Sequence, residues 1–234
     1  MTTTDISVVR IDRLDLAFEP QPWPYADMHR HEIDAHFANL QRAKPALWNG
    51  RVLLLHRYGI KNGVFGGAFL ETDFASFLAW RDWGFPEAGA INCFSMAALR
   101  ASDGAYLLGA MGDHTAGAGR VYFPAGTPDP EDVAGGMVDL HASVVRELAE
   151  ETGLTVDDVV AQAGWYSVLC GPRVAHMKIF NARAPADVLR ARIRAHLQRE
   201  AEPELSDMVI VRGPEDFDPR MPSFVTAFLE HVWR

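Results

Sequence analysis

The residues best suited to chemistry stand together in "RELAEETGL", residues 146–154. Glu147, Glu150 and Glu151 fall at i, i+3 and i+4, the spacing that puts side chains on one face of a helix. Three carboxylates so placed repel, by roughly 0.2–0.5 kcal/mol per pair on a bare surface, and Arg146 offsets only part of that. A hard dication is the natural compensator. Mg²⁺ takes oxygen ligands, keeps some of its waters, and is usually shared between a few carboxylates and the phosphates of a substrate. Zinc fits poorly, because the stretch has no histidine or cysteine at ligand spacing. The competing reading of the same residues is a charged helix face turned to water.

At every defined position the stretch resembles the core of the Nudix box, R-E-U-x-E-E-x-G-U with U aliphatic. The resemblance implies an α/β (α+β) fold, a Nudix-like α/β/α sandwich around a mixed sheet. It also implies an activity: hydrolysis of the pyrophosphate bond in a nucleoside diphosphate linked to another group, such as a nucleotide sugar or dinucleotide, with Mg²⁺ or Mn²⁺ as cofactor. Glu147, Glu150 and Glu151 would be the metal ligands, and Arg146 would orient a neighbouring glutamate. Many members recruit one more carboxylate just before the last strand, a place held here by Glu202 and Glu204, of which Glu204 joins the candidate catalytic set.

In "YFPAGTPDPED", Gly126 takes the place of the family's glycine after a strand end, and Arg120, just ahead of that strand, is the candidate phosphate contact. The upstream half of the box departs from the pattern. Asp132 and Val138 stand where the family has glycine and glutamate, Asp139 is the nearest carboxylate, and the 19 residues between Gly126 and Arg146 are about six more than the family's spacing. That departure supports an alternative: a chain that keeps the fold and binds a nucleotide as a sensor without turning it over.

Composition narrows the partners. A chain of 234 residues is long enough to bury a sizeable core, and its 48% hydrophobic and 23% charged content is ordinary for a globular protein. A net charge of -9 argues against nucleic acid or acidic membrane as partner, since either needs a basic surface. A small anionic nucleotide derivative remains compatible, given local neutralisation by metal and arginine. Cys93 and Cys170 lie in apolar stretches without metal or redox spacing and read as buried thiols. The N-terminus lacks a basic start followed by an apolar run, so the expected location is cytoplasmic.

The elements that must position these residues can be read from periodicity. Residues 6–18 alternate as a strand and residues 26–43 read as a helix whose His29 and His31, two apart, face different ways. Asn62-Gly63 between two strand-like runs signals a hairpin, and residues 74–83 read as a short aromatic helix. Pro86 and Gly89 mark a boundary between an extension over 1–89, which could cap the cleft or form a homodimer contact, and a catalytic domain over 90–234. There, strands over 91–100 and 105–111 join at Ser102-Asp103-Gly104, and a short strand over 120–126 leads by an inserted loop into the acidic helix. Leu140, Val144, Val145 and Leu148 give that helix its apolar stripe, and Gly153 is placed to end it. Strands over 159–169 and 173–182 follow, then a helix over 185–200 whose Arg190, Arg192, Arg194 and Arg199 read as a solvated face. A strand over 205–212 and a closing amphipathic helix complete the chain.

Overall fold

The computed structural model describes residues 6–45, 47–115 and 117–234. In chain order the strands are β1 (Ile6–Ile11), β2 (Arg13–Phe18), β3 (Arg51–Lys61), β4 (Val64–Asp73), β5 (Asn92–Arg100), β6 (Tyr106–Met111), β7 (Val121–Tyr122), β8 (Val133–Ala134), β9 (Met137–Val138), β10 (Val159–Ala161), β11 (Trp165–Cys170), β12 (Arg173–Ala182) and β13 (Leu205–Val211). The helices are α1 (Pro24–Met28), α2 (Arg30–Ala43), α3 (Phe74–Asp82), α4 (Leu140–Thr152), α5 (Ala186–Leu197) and α6 (Ser223–Val232). The architecture is mixed α/β. Among the described residues no helix is long and apolar enough to cross a membrane.

The chain divides into two compact units that interleave in sequence: residues 1–13, 94–126 and 141–234 in one, and 14–93 with 127–140 in the other. The first strand therefore joins the unit that carries the acidic helix, and the inserted loop joins the other, in contrast to a single cut near residue 89.

The first unit is built on an eight-stranded sheet ordered β1-β11-β12-β5-β6-β13, with β10 paired to β12 and β7 to β6. Alternation along its strands feeds two layers. Met96, Ala98, Leu108, Val168, Met177 and Val211 point to one face, where Val225, Phe228 and Leu229 of α6 complete an apolar core. On the opposite face Trp165 of β11 meets the ring of His141 on α4. The second unit pairs its strands β3-β4-β2-β9-β8. Val52, Leu54 and Leu70 of that sheet bury against Ile33 and Phe37 of α2 and Phe77, Leu78 and Trp80 of α3. Asp73 caps α3 by accepting from the Ser76 N–H at 3.0 Å, and it also accepts from Arg30 of α2.

Most elements fall where periodicity places them, and the hairpin at Asn62-Gly63 has the two positive φ values (51° and 73°) that its tight turn demands. Three segments differ. The run over 6–18 is two strands in two sheets, parted by a bend at Asp12. The helix over 26–43 breaks at His29, which caps one short helix and opens the next. Residues 159–169 are two strands separated at Gly164, whose φ of +69° interrupts the ladder. In each case a local bend is cheap in sequence terms, so apolar alternation alone runs through it.

Candidate functional site

The site is assembled from α4 and the segment that follows β7, both in the first unit. Leu140, Val144 and Leu148 recur every four residues and are buried, which fixes α4 to its layer by one stripe and leaves the acidic side free. The chain turns out of the helix at Gly153 with φ +68°. Upstream, Val121 and Phe123 are fully buried, and the Ala97 N–H donates to the Pro124 carbonyl at 2.8 Å. These contacts hold the Ala125–Gly126 backbone against the acidic side of α4.

Two contacts follow. The Ala125 N–H donates to Glu151 Oε1 at 3.0 Å. At Gly126, a Cβ would stand 2.1 Å from Glu147 Oε1, so a side chain there would push the end of that carboxylate away from the backbone it now lies against. Arg146 Nη2 reaches the same Glu147 oxygen at 3.5 Å.

The electrostatics are those of a site short of positive charge. Glu151 is 4% exposed, and its Oε2 is buried without a hydrogen-bond partner. Burial pushes its carboxyl well above the usual range; the Ala125 N–H works against this, while the charges of Glu147, Glu204 and Glu150 add to it. A buried carboxylate with one open oxygen and three further negative charges in range is costly unless a proton or a cation joins it. The orphaned oxygen, the backbone cradle at Gly126 and an all-oxygen donor set fit a hard divalent ion. Among the described residues no three His, Cys, Asp or Glu side chains already close into a ligand cluster.

The other expected residues divide. Glu150 is exposed on α4. Glu204 is exposed too, but its carbonyl accepts the Gly112 N–H at 2.8 Å, which ties it to the end of β6 and brings its charge within range of Glu151. Glu202 is not among the groups that act on Glu151. Arg120 is exposed, and its backbone pairs with Met111 rather than with the acidic group. Asp132 is buried in a capping box with Asp129, whose N–H its carboxylate accepts, and its carbonyl accepts the Asp139 N–H, so Asp132 shapes a turn of the second unit.

Among the aromatics, Phe123 and Trp165 are core residues, and Tyr166 packs on Phe228. The arginines of α5 lie on an exposed or half-exposed face and are tied there to acids. Arg190 and Arg194 both bind Asp207, whose carboxyl they hold well below the usual range with Arg194 foremost, and Arg192 binds Asp158. Cys93 and Cys170 are free and buried, as their apolar surroundings imply. Sequence reasoning missed the Ala125 N–H, since a backbone donor leaves no mark in residue type; Gly126 beside it was the available signal.

No protein-family model matches this chain, and no curated protein matches it. Among solved structures it is similar to RenU, a Nudix hydrolase from M. smegmatis, at 15% identity and a TM-score of 0.39, over 60% of this chain and 81% of that one. It is also similar to the MutT protein from Methanosarcina mazei Go1, at 21% identity and a TM-score of 0.42, over 62% of this chain and 94% of that one. Overlap this loose says nothing of the chemistry, which rests on the residues themselves.

Proposed function

We propose that this chain is a Nudix-type pyrophosphohydrolase dependent on Mg²⁺ or Mn²⁺, acting on a nucleoside diphosphate linked to another group. The observation that carries the reading is Glu151: a buried carboxylate, anchored at one oxygen by the Ala125 N–H and open at the other, within a sequence that matches the core of the box. Glu147, Glu150 and Glu151 would hold the ion. When bound, it would neutralise phosphate oxygens and make a bound water acidic enough to attack phosphorus.

The chain's own groups have separate tasks. Arg146 holds the Glu147 carboxylate in place, a positioning role worth about 10- to 100-fold in metal affinity or activity at comparable sites. Gly126 leaves the space in which that carboxylate lies. Glu204, exposed and within charge range of Glu151, is the candidate to accept a proton from water or to complete the ion's ligand set. Arg120, exposed at the start of the strand that leads to Gly126, is the candidate cation for a phosphate oxygen.

The loss of the upstream glutamate and the diversion of residues 127–140 into the second unit favour a second reading, a nucleotide sensor without turnover. One assay separates the two: release of nucleoside monophosphate from a panel of nucleotide sugars and dinucleotides, with Mg²⁺ and with EDTA. Metal-dependent release supports the hydrolase. Tight nucleotide binding without release at any metal concentration supports the sensor.

A further inference from the structure

The carbonyl end of a helix favours a cation and leaves its last four carbonyls without partners inside the helix. In α4 the last turn holds no basic residue of its own. The Leu154 N–H, which would reach the Glu150 carbonyl if the helix ran on, donates instead to Thr152 Oγ1 at 3.2 Å. The Glu150 carbonyl is met from another element: His196 Nε2 of α5 lies 3.2 Å from it. A carbonyl has no hydrogen to give, so Nε2 carries one and donates it.

The same ring lies against the turn that closes the helix. A Cβ at Gly153 would stand 2.7 Å from both Cγ and Nδ1 of His196, so the glycine supplies room for the imidazole as well as its φ of +68°. The imidazole is held in turn by its own helix. Leu189, Ile193 and Leu197 of α5 are buried, and Arg192 binds Asp158, whose carboxylate takes the Thr155 N–H just past the end of α4. The two helices are thereby tied at the end of α4 that carries Glu150 and Glu151.

We infer that His196 is a positioning residue for the metal ligands at the end of α4. The inference rests on the hydrolase reading, in which Glu150 and Glu151 hold the ion together with Glu147. Helix ends fray, and a last turn that loosened would carry Glu150 and Glu151 away from Glu147, one turn back, whose side chain Arg146 reaches. Three carboxylates can share one ion only at a fixed spacing. His196 touches neither ion nor substrate; it acts through the Glu150 backbone, as Arg146 acts through the Glu147 side chain.

The readout is metal binding rather than turnover. Free Mn²⁺ followed by electron paramagnetic resonance gives the Kd of the parent and of each variant, well below their melting temperatures. Asparagine is too short to bring its amide to the Glu150 carbonyl, whereas glutamine places an N–H near the position of Nε2. His196→Asn should therefore weaken Mn²⁺ binding by about tenfold, and His196→Gln should restore most of it. A merely structural role would lower Tm in His196→Asn and leave the Kd alone. If His196→Asn does not fold, His196→Ala decides. Mn²⁺ bound by the parent and equally by a folded variant without the hydrogen bond, or binding lost to the same extent with glutamine, overturns the inference and leaves the hydrolase reading standing. A parent that binds no Mn²⁺ overturns both.

Discussion

Replacing Glu151 by glutamine keeps size and shape and removes one charge. In the metal-free protein that charge is buried, takes one N–H from Ala125, and faces Glu147, Glu204 and Glu150. Glutamine Oε1 can still accept from Ala125. The folded-state pKa of Glu151 is raised, so its favourable protonated form is fully present below the ordinary carboxylate value and is lost as pH rises through the folded value. At neutral pH without metal, Glu151→Gln should therefore melt no lower than the parent. Mg²⁺ should reverse the order. An ion at 100 times its Kd stabilises by about 2.7 kcal/mol. With an unfolding entropy of about 0.5 kcal/mol/K expected for a chain of 234 residues, that is a rise of about 5–6 °C in Tm for the parent, and little or none for the variant. Scanning calorimetry with and without Mg²⁺ reads both effects. A variant that melts several degrees low without metal, or that keeps the full Mg²⁺ shift, would refute the assignment of Glu151 as a ligand held ready for a cation.

Three further outcomes follow from the same geometry. Gly126→Ala places a methyl group within 2.1 Å of Glu147 Oε1, the free end of a flexible side chain, so it should displace that carboxylate at little cost in stability and lower turnover, read by denaturant melts and initial rates. Arg146→Gln should lower kcat by about 10- to 100-fold while leaving KM for the nucleotide nearly unchanged, because the contact it loses is to Glu147 and not to substrate. His176 is fully buried against Ser167, and burial holds its pKa down to about 3 from 6.5. A depressed folded value means stability present above 6.5 and lost as pH falls toward 3, by up to about 1.4 kcal/mol per pH unit; His176→Gln should flatten that part of the stability profile.

How far the sequence could be read depended on the range of the interactions involved. Local signals held: Asn62-Gly63 turned a hairpin, Gly153 ended the acidic helix, and Leu140, Val144 and Leu148 faced inward. The spacing of three glutamates predicted one helix face but could not assign their burial. Glu151 is enclosed and Glu150 open, and the Ala125 N–H that meets Glu151 approaches from 26 residues away. Long-range pairing was illegible for the same reason. The run over 6–18 looks continuous because alternation persists across Asp12, yet its halves belong to different sheets. The arginines of α5 lie on an exposed face as read, but nothing in their own segment marks Asp207, whose carboxylate two of them share. The departure upstream of the box, by contrast, was visible as a change in spacing, and its structural counterpart is the diversion of residues 127–140 into the second unit.

The most direct measurement of the central claim is anomalous scattering from crystals soaked in Mn²⁺ and a non-hydrolysable diphosphate. The account predicts a manganese peak within ligand distance of Glu147, Glu150 and Glu151, with phosphate oxygens on its far side. Well-ordered diphosphate without manganese between it and those carboxylates, or manganese bound elsewhere while they extend into solvent, would contradict it.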